Sequence, residues 1–438
     1  MKQSYILYYN EIMKRDRKVA VSLFSSAGIG ELGLKACDID ILVSNEILKN
    51  RHELYAENYP NTSCITGDIW DKKDQILEEY YSKTKQNPFL LYATPPCQGM
   101  SSNGAGKILN SIRNGNRKSE DPRNRLIIPT MYIAKKLKPE WLLLENVPTM
   151  FNTIIRDENN NYINIIDYIK NELGPEYVGK AEVVNCADYG IPQIRKRLIT
   201  IFTRTQVGKE YFEKYKTFLP PKTHSEKCSN NLKKWVTLKE AIGQFPELQA
   251  KEGLNENKNF NPWHIVPIMK QEKYWWVENT KEGDTAFNNQ CVNPKCLYQN
   301  NFSFIDKSGQ TKRQNLSIYC EKCGSLLPRP TIVDKNTHKR RIIKGFKSAY
   351  KRMEWNNPAP TLTQNMQFEA SDNKIHPTQN RVLSVYEGLV LQTISQYDYK
   401  FEIAGETITR SQCCEIIGES VPPYIIEIIC KNIQKISD

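Results

Sequence analysis

The chain has 438 residues, enough for more than one hydrophobic core, so we expect two lobes. Hydrophobic residues make up 39% and charged residues 25%, a composition that argues against disorder. The N-terminus turns charged too early for a signal peptide, and no apolar run reaches membrane-spanning length. We therefore expect a cytoplasmic protein without a membrane partner, whose twelve cysteines serve as thiols, metal ligands or a nucleophile rather than in disulfides.

The first part of the chain, residues 19–205, alternates short apolar runs with helix-length amphipathic stretches. Runs rich in Val, Ile and Leu predict parallel strands that helices cover on both faces. The fold class is therefore α/β, a doubly wound Rossmann-like domain that binds ligands at the carboxyl ends of its strands. The predicted strands lie in VAVSLF, DIDILVSNE, FLLYATPP, EWLLLENV and RLITIF.

The first strand and turn, VAVSLFSSAGIGELGL, predict a cofactor loop. Small residues around Gly28 let backbone amides approach a ligand at a helix N-terminus, where partial positive charge collects. Glu46 ends the second strand, where a carboxylate can hold ribose hydroxyls, and Asp68 follows the third, where it suits an adenine amino group. The alternative for the loop is a tight turn without a ligand, and the alternative for the two acids is that they are solvated surface residues. Three strand ends in register argue against these alternatives.

The stretch LLYATPPCQGMSSNG brings a thiol to the end of a strand. Proline fixes φ, so Pro95 and Pro96 hold Cys97 with little conformational freedom, which favours a nucleophile. A cysteine at such a position is by itself more often a packing residue.

The next strands end in groups that could act on a substrate beside this thiol. EWLLLENV places Glu145 at its end, either as a capping residue or as a general acid. Gln193, Arg195 and Arg197 are spaced two residues apart, which predicts that all three lie on one face of a strand.

Seven blocks of the sequence, in this order and approximate spacing, resemble the conserved blocks of DNA (cytosine-5)-methyltransferases. They are SLFSSAGIGELGL, GDI, TPPCQGMS, DPRNRL, LLENV, ADYGIPQIRKR and GESVPP. The resemblance covers about 19–202 and 376–438. It implies a sequence-specific DNA cytosine-5 methyltransferase that uses S-adenosylmethionine, most simply the modification enzyme of a restriction-modification system whose endonuclease acts separately.

The resemblance implies a role for each catalytic candidate. Cys97 adds as a thiolate to carbon 6 of a flipped-out cytosine, which makes carbon 5 nucleophilic. Glu145 holds ring nitrogen 3 and the exocyclic amine, Arg197 holds the carbonyl at position 2, and Arg195 and Gln193 brace the site.

The resemblance also assigns binding residues. Those for S-adenosylmethionine are Phe24, Ala27, Gly28, Ile29, Glu46, Asp68, Pro96, Leu126 and Ser420. In this family the loop after the cysteine closes over DNA, which makes Ser101, Arg113 and Arg117 candidate DNA contacts; an ordinary surface loop is the alternative.

Two residues depart from the family's pattern. Ser26 stands at the first glycine of Phe-x-Gly-x-Gly, and we expect the loop to work if φ there is negative. Glu419 replaces the asparagine of Gly-Asn-x-Val-x-Pro, and a carboxylate near the cofactor would weaken binding or pair with its cationic part.

The net charge of +12 is concentrated in one region. Residues 222–352 hold 24 Lys and Arg against 12 Asp and Glu, and the rest of the chain is balanced. A basic lobe is what a polyanion such as double-stranded DNA requires, with a solvated basic surface as the alternative from charge alone. In this family the corresponding variable segment reads the DNA sequence.

The same region contains two cysteine pairs. Cys291 with Cys296 and Cys320 with Cys323 have spacings that predict a structural zinc ribbon at 291–323, with four free thiols as the alternative.

The hydrophobic pattern and the family resemblance together predict the order of the domains. The predicted parts are an N-terminal extension (1–18), a catalytic and cofactor-binding domain (19–205), an irregular or β-rich target-recognition domain (206–375), a helical block (376–404) and a C-terminal segment that returns to the catalytic domain (405–438). We expect a monomer of bacterial type that associates with the nucleoid through DNA. A tRNA cytosine methyltransferase of the same fold and a catalytically silent DNA-binding relative are the competing hypotheses, but silent forms typically lose the Cys or Glu that stand here.

Overall fold

A computed structural model gives the architecture of the protein. It describes residues 17–96, 121–228, 231–302, 316–343, 348–371 and 373–438. Cys97 and the candidate loop contacts Ser101, Arg113 and Arg117 lie outside the described residues, as does most of the N-terminal extension. Within those ranges, no helix combines the length and the apolar character needed to cross a membrane.

A seven-stranded sheet forms the centre of the large lobe. Its strands are β1 (Val19–Leu23), β2 (Asp40–Glu46), β3 (Ser63–Thr66), β4 (Leu90–Ala93), β5 (Trp141–Asn146), β6 (Val178–Asn185) and β7 (Lys196–Thr203). The spatial order is β3-β2-β1-β4-β5-β7-β6, and the neighbours among the first five strands pair in parallel. β7 is antiparallel to both β5 and β6, so the sheet is mixed where the sequence pattern predicted parallel strands only. The connection from β6 to β7 is shorter than the crossover that a parallel neighbour needs.

Helices cover both faces of this sheet, and further helices lie in the second lobe. They are α1 (Glu31–Lys35), α2 (Lys49–Asn58), α3 (Ile69–Lys83), α4 (Ile127–Leu137), α5 (Ile165–Leu173), α6 (Gln206–Tyr215), α7 (Leu238–Ile242), α8 (Gln271–Glu278), α9 (Val385–Leu391), α10 (Arg410–Glu419) and α11 (Pro423–Ser437). α3, α4 and α5 pack on one face. α1, α2 and α11 pack on the other, in a core that continues into the second lobe. Alternate residues of a strand serve the two cores, as with Leu90 and Leu91 of β4.

The last helix packs on the first one. α11 begins directly after Pro422, as the Pro-Pro pair predicts. A Cβ at Gly33 of α1 would lie 2.5 Å from the carbonyl oxygen of Pro423 and 2.6 Å from the amide nitrogen of Glu427, so only glycine permits this approach. The C-terminal segment therefore covers the helix that follows the predicted cofactor loop.

The predicted boundary at 205/206 needs correction. α6, which that boundary assigns to the second domain, contacts α11 and β6 of the large lobe. Phe218 lies edge-on to Trp141 of β5, with 5.0 Å between the ring centroids. The large lobe therefore extends to at least Phe218, because the apolar faces of these residues need the sheet and α11 to be buried.

The second lobe consists of short helices, turns and small strand pairs, as its irregular sequence predicts. The two-stranded sheets outside the central one are Ile154–Arg156 with Tyr162–Asn164, Gln193–Ile194 with Ala359–Pro360, His224–Ser225 with Lys233–Lys234, Thr331–Val333 with Arg340–Ile342, and Glu402–Ile403 with Glu406–Thr407. Small apolar clusters of their own stabilise this lobe.

A buried ion pair organises the helical block. Two hydrogen bonds of 2.7 Å join the guanidinium of Arg381 to the carboxylate of Glu387, and both side chains are fully buried. Burial opposes the charge on Glu387, but Arg381 outweighs burial and lowers the pKa of Glu387 to about 2. Glu387 also completes a capping box with Ser384 at the start of α9. The pair thereby sets where α9 begins.

A buried neutral histidine lies beside this pair, and it makes stability depend on pH. Nδ1 of His376 accepts the backbone N–H of Thr378 and of Gln379, which only an unprotonated nitrogen can do. Burial is the main reason that the pKa of His376 falls to about 3. Its folded pKa lies below the unfolded value, so this contribution to stability is full above about pH 6.5 and declines as the pH falls toward 3.

We predict that His376→Asn flattens the acid limb of the stability profile. Between pH 7 and pH 5 the wild type is expected to lose about 2 kcal/mol of unfolding free energy through this residue alone. Asparagine can accept the same N–H groups without titrating. Urea unfolding at both pH values measures the difference, and equal losses in the two proteins would contradict the prediction.

Candidate active site and cofactor pocket

Most of the predicted site residues that the structure describes follow the strands at one edge of the sheet. Leu23 pairs with Asn45 of β2 and with Ala93 of β4, and Ala93 pairs with Leu144 of β5. The residues after these positions therefore emerge side by side. This register brings Phe24, Glu46, Thr94 and Glu145 to the carboxyl edge, where open α/β sheets bind ligands.

The loop after β1 is left-handed at alternate residues. Phe24, Ser26 and Gly28 have φ values of +59°, +46° and +81°. The condition set for Ser26, a negative φ, is not met, since this residue adopts the left-handed conformation that glycine adopts without strain. The conformation costs a non-glycine residue about 1 kcal/mol or more. A hydrogen bond of 2.8 Å from the Ser26 N–H to a carboxylate oxygen of Glu46 offsets that cost.

Tyrosine rings fill the space behind the loop. A Cβ at Gly28 would lie 2.5 Å from Cε2 of Tyr59 and 2.8 Å from Cδ2 of Tyr55. The hydroxyl of Tyr59 donates to the carbonyl of Gly28, and that of Tyr399 donates to the carbonyl of Ala27. Tyrosine hydroxyls thus occupy the carbonyls of Ala27 and Gly28, and position 28 has no room for a side chain.

The two acids at the next strand ends already make contacts within the protein. Glu46 is buried, and its second carboxylate oxygen accepts the N–H of Leu48 at 2.8 Å. Asp68 caps α3 by accepting the N–H of Trp70 at 3.0 Å. Ile47, which the sequence analysis did not single out, exposes 60% of its surface next to Glu46 and could cover an apolar ring.

The segment that carries Cys97 is tied to two strand ends. The hydroxyl of Thr94 donates to the carbonyl of Phe24 at 2.9 Å. The side-chain amide of Asn146 donates to the carbonyl of Pro95 at 2.8 Å. Asn146 was missed in the sequence, although it follows Glu145 in the ENV block. Described residues therefore hold the chain up to Pro96, immediately before the thiol.

Glu145 and Arg197 lie together, as the sequence predicts. Nε of Arg197 is 2.7 Å from a carboxylate oxygen of Glu145, and the side chains are 14% and 11% exposed. Glu145 stands opposite Ile199 in the antiparallel pair of β5 and β7, so the side chain of Arg197 reaches back along the sheet edge. The carboxylate and the guanidinium form one ion pair, and the residue after Glu145, Asn146, holds Pro95.

Gln193 and Arg195 do not share that location. A two-residue strand ends at Ile194 and β7 begins at Lys196, with Arg195 between them, so the prediction of one strand face is wrong. Gln193 donates to the side chain of Gln392 at 2.8 Å and accepts the N–H of Leu362. Arg195 is fully buried and donates to carbonyl oxygens of Leu362, Gly418 and Ser420. These two side chains fasten the returning segments of the second lobe and the C-terminus to the sheet.

Glu419, which departs from the family's pattern, has a cationic partner within the protein. Arg51 of α2 is buried and lies 2.8 Å from a carboxylate oxygen of Glu415 and 3.5 Å from one of Glu419. Burial raises the pKa of Glu419 and Arg51 opposes the shift. Arg51, which the sequence analysis missed, thus joins the last block to the helix after Glu46.

The remaining cofactor candidates serve structural contacts. The carbonyl of Ser420 accepts from Arg195 and from Gln392, and its hydroxyl donates to the carbonyl of Ile417. Leu126 precedes α4 and packs against the core on that face. Ile29 is buried in the core beneath the loop.

The four cysteines of the second lobe converge. Their sulfur atoms all lie within 4.8 Å of one another, with 3.7 Å between Cys291 and Cys323 and 3.8 Å between Cys296 and Cys320. Four thiolates about 2.3 Å from a tetrahedral zinc ion would be about 3.8 Å apart.

The backbone around the cysteines suits thiolates. The N–H groups of Asn293, Tyr298, Lys322 and Ser325, each two residues after a cysteine, donate to the respective sulfur atoms. Leu297 and Gly324, each directly after the second cysteine of a pair, have positive φ. The two halves therefore form matching turns, although their cysteine spacings differ.

Comparison with known proteins bears on the whole chain. The family model for C-5 cytosine-specific DNA methylases matches residues 19–435. The Type II methyltransferase M1.HgaI of Avibacterium volantium is 31% identical over 95% of this chain and 98% of its own length. M1.HphI of Haemophilus parahaemolyticus is 25% identical over 95% of this chain and 87% of its own. A crystal structure of a candidate DNA modification methyltransferase encoded within an E. coli prophage has a TM-score of 0.51 and 20% identity, covering 96% of this chain and 99% of that one.

Two substitutions in the β1 loop test its backbone geometry, one through protein stability and one through cofactor binding. Ser26→Gly is expected to raise the free energy of unfolding by about 1 kcal/mol, because glycine adopts positive φ without a Cβ penalty. Gly28→Ala should weaken S-adenosylmethionine binding at least about tenfold (roughly 1.4 kcal/mol), because its Cβ collides with two tyrosine rings. Urea unfolding and isothermal titration measure these effects, and wild-type affinity in Gly28→Ala would contradict the steric argument.

Proposed function

Because the chain belongs to the family of C-5 cytosine-specific DNA methylases, we propose that it methylates carbon 5 of one cytosine in a specific duplex sequence through a covalent adduct with Cys97. The observation that carries this proposal is the pairing of Glu145 with Arg197 at the strand edge that also bears Glu46 and the proline segment before Cys97. A carboxyl group, a guanidinium and a thiol are the three groups that a cytosine ring needs.

The reaction begins with a bond from the Cys97 sulfur to carbon 6 of cytosine. Carbon 5 of the intact ring is a poor nucleophile, and addition of the thiolate moves electron density to it. After carbon 5 has gained a methyl group, its proton leaves to a base, the bond to sulfur breaks and the thiolate returns. The support for this role is the fastening of Pro95 by Asn146, which limits where the following residues can lie.

Glu145 and Arg197 act on the polar edge of the same ring. Addition of the thiolate increases the negative charge on the ring, which a proton held at nitrogen 3 by the Glu145 carboxyl group neutralises. Arg197 donates to the carbonyl oxygen at position 2. In the free protein the two side chains form an ion pair, and the paired oxygen of Glu145 is buried without a hydrogen-bond partner among the described residues, so the incoming base can offer it one.

The loop after β1 and the acid after β2 fit S-adenosylmethionine. When bound, this cofactor supplies the methyl group to the nucleophilic carbon. Glu46 is a buried carboxylate at a strand end, where ribose hydroxyls can donate to it in addition to the backbone N–H groups it already accepts. Asp68 keeps one carboxylate oxygen for its cap and can offer the other to an adenine amino group. Phe24, Ala27, Gly28, Ile29, Pro96, Leu126 and Ser420 would form the rest of the pocket.

A target inside a duplex must leave the base stack before these groups can reach it. Ser101, Arg113 and Arg117, in the segment after Cys97, are proposed contacts to the opened DNA. Gln193 and Arg195 act as positioning residues, since both hold returning segments that contact the large lobe. The basic part of the second lobe reads the surrounding sequence, which its excess of Lys and Arg supports.

The names of the relatives support a proposal for the biological setting. Both relatives described above carry the name Type II methyltransferase. We assign the protein the modification role in a restriction-modification system, with a separately acting endonuclease, and we propose that it works as a monomer bound to the nucleoid through DNA.

We also propose that Cys291, Cys296, Cys320 and Cys323 bind a structural zinc ion. The support is the near-tetrahedral spacing of the sulfur atoms and the N–H donors aimed at them. Four sulfur ligands leave no open position, so the ion has no part in the methylation step.

Bisulfite sequencing of DNA from cells that express the protein tests the reaction and finds its target. The wild type should protect one cytosine within one sequence motif, and Cys97→Ala should lower methylation at least about a thousandfold because no covalent adduct forms. Cys228→Ala, which removes an exposed thiol elsewhere, is the matched control and should behave as the wild type. Methyl transfer by Cys97→Ala at the wild-type rate would refute the mechanism.

Elemental analysis of the purified protein tests the metal site. We expect about one zinc per chain, retained after dialysis, and none in the double variant Cys320→Ser/Cys323→Ser. The double variant should also melt at a lower temperature, because metal-binding free energy stabilises the fold. Cys228→Ser again serves as the control. Wild-type protein grown with added zinc that contains no stoichiometric metal would exclude the site.

A further inference from the structure

We propose that the β-hairpin Thr331–Ile342, hereafter the basic hairpin, is the element of the second lobe that enters the major groove and contacts the recognised sequence. This inference rests on the proposed function, because it names the part of the protein that reads the DNA. The hairpin consists of the strands Thr331–Val333 and Arg340–Ile342 and the loop between them.

The basic hairpin is positively charged and exposed. It holds four Lys and Arg residues against one Asp, and every residue from Lys335 to Lys339 is exposed. Arg341 lies 3.2 Å from Asp334, and Arg340 lies 2.7 Å from Glu272 of α8. Lys335 and Lys339 have no ion pair with any of the described residues. These two lysines are available to phosphate groups.

The two faces of the hairpin have different neighbours. Thr331 is buried, and Arg340 on the same face donates to its hydroxyl and to Glu272, so this end of the face rests on the protein, whereas Val333 on that face is 46% exposed. The opposite face carries the cross-strand pair of Ile332 and Arg341. Ile332 leaves 46% of its surface exposed there, although it is a large apolar residue. A face with an exposed apolar side chain beside a cation suits a DNA groove, where thymine methyl groups and phosphates lie close together.

The loop at the tip is held in one conformation. The carboxylate of Asp334 accepts the N–H groups of Asn336 and Thr337, both at 3.1 Å. The N–H of His338 donates to the carbonyl of Asp334, and His338 has a positive φ. An ordered tip loses little conformational entropy on binding, and its side chains of Asn336, Thr337 and His338 can hydrogen-bond to base edges.

The base of the hairpin is anchored on both sides. Arg329, two residues before the first strand, is fully buried and donates to the carbonyls of Asn289, Phe302 and Ser317, which flank the cysteine cluster. At the other end, Ile342 packs against the apolar cluster around Trp276. The cysteine cluster and the apolar cluster therefore fix the direction in which the hairpin projects.

A two-stranded ribbon has the dimensions that the major groove admits. The net positive charge of the surrounding lobe favours DNA over an acidic protein surface, because the charge extends over more of the chain than the hairpin. The lysines would contact the phosphate groups of the DNA backbone, and the polar side chains at the tip would contact the bases.

Two variants of the full-length protein test the proposal. Lys335→Ala/Lys339→Ala should weaken binding to a duplex that carries the wild-type motif by about tenfold or more, and should reduce the slope of log K against log salt concentration by about two. Asn336→Ala should relax discrimination at one base pair by about tenfold with little change in the salt slope. The motif comes from bisulfite sequencing of the wild type.

Lys83→Ala/Lys85→Ala is the matched control. It removes the same charge from exposed residues at the end of α3, near the start of β4 and so at the edge of the sheet opposite the site. Melting temperature and S-adenosylmethionine affinity should stay at wild-type values in all three variants. Equal DNA binding by the hairpin and control variants would overturn the inference, including the case in which the hairpin serves an acidic protein. If the wild type itself does not methylate carbon 5 in DNA, the proposed function fails instead.

Discussion

The parallel register of β1, β4 and β5 positions the candidate site. It brings the loop after Leu23, the proline segment after Ala93 and the carboxyl group after Leu144 to one edge of the sheet. Side chains then secure that edge: Thr94 bonds to the end of β1, and Asn146 bonds to Pro95. The loop after β1 and the proline segment, which are distant in the sequence, lie side by side because hydrogen-bonded strands leave no freedom to slide, since each shift would exchange buried faces.

Buried arginines connect this edge to the rest of the chain. Arg195 bonds to carbonyl oxygens of the returning segments, Arg352 to those around His376, and Arg329 to those beside the cysteine cluster. A buried guanidinium is costly unless its donors are satisfied, and one that is satisfied by carbonyls from several segments holds them in a single arrangement. The second lobe has few long elements, so these contacts replace regular secondary structure in orienting it.

The family and the fold class could be predicted from the sequence, and the comparisons confirm both. Glu145 and Arg197 lie together as predicted, because short buried strands specify which residues end them. The position of Arg195 could not be predicted, since a spacing of two fits one strand and equally fits two strands that meet at that residue. The left-handed φ of Ser26 was also hidden, because serine gives no local signal for it and the stabilising carboxylate comes from Glu46 on another strand.

The sheet-forming runs, the order of the candidate site residues and the two cysteine pairs can be identified along the chain, because they depend on periodicity, proline geometry and residue chemistry. Which side chains become partners depends on the fold. Arg51 meets Glu419 across more than three hundred residues, and the four cysteine sulfurs converge only after two turns dock. The insertion of β7 between β5 and β6 is likewise a pairing between distant parts of the chain. Such pairings depend on burial and on satisfying hydrogen bonds across the whole fold, which local sequence does not encode.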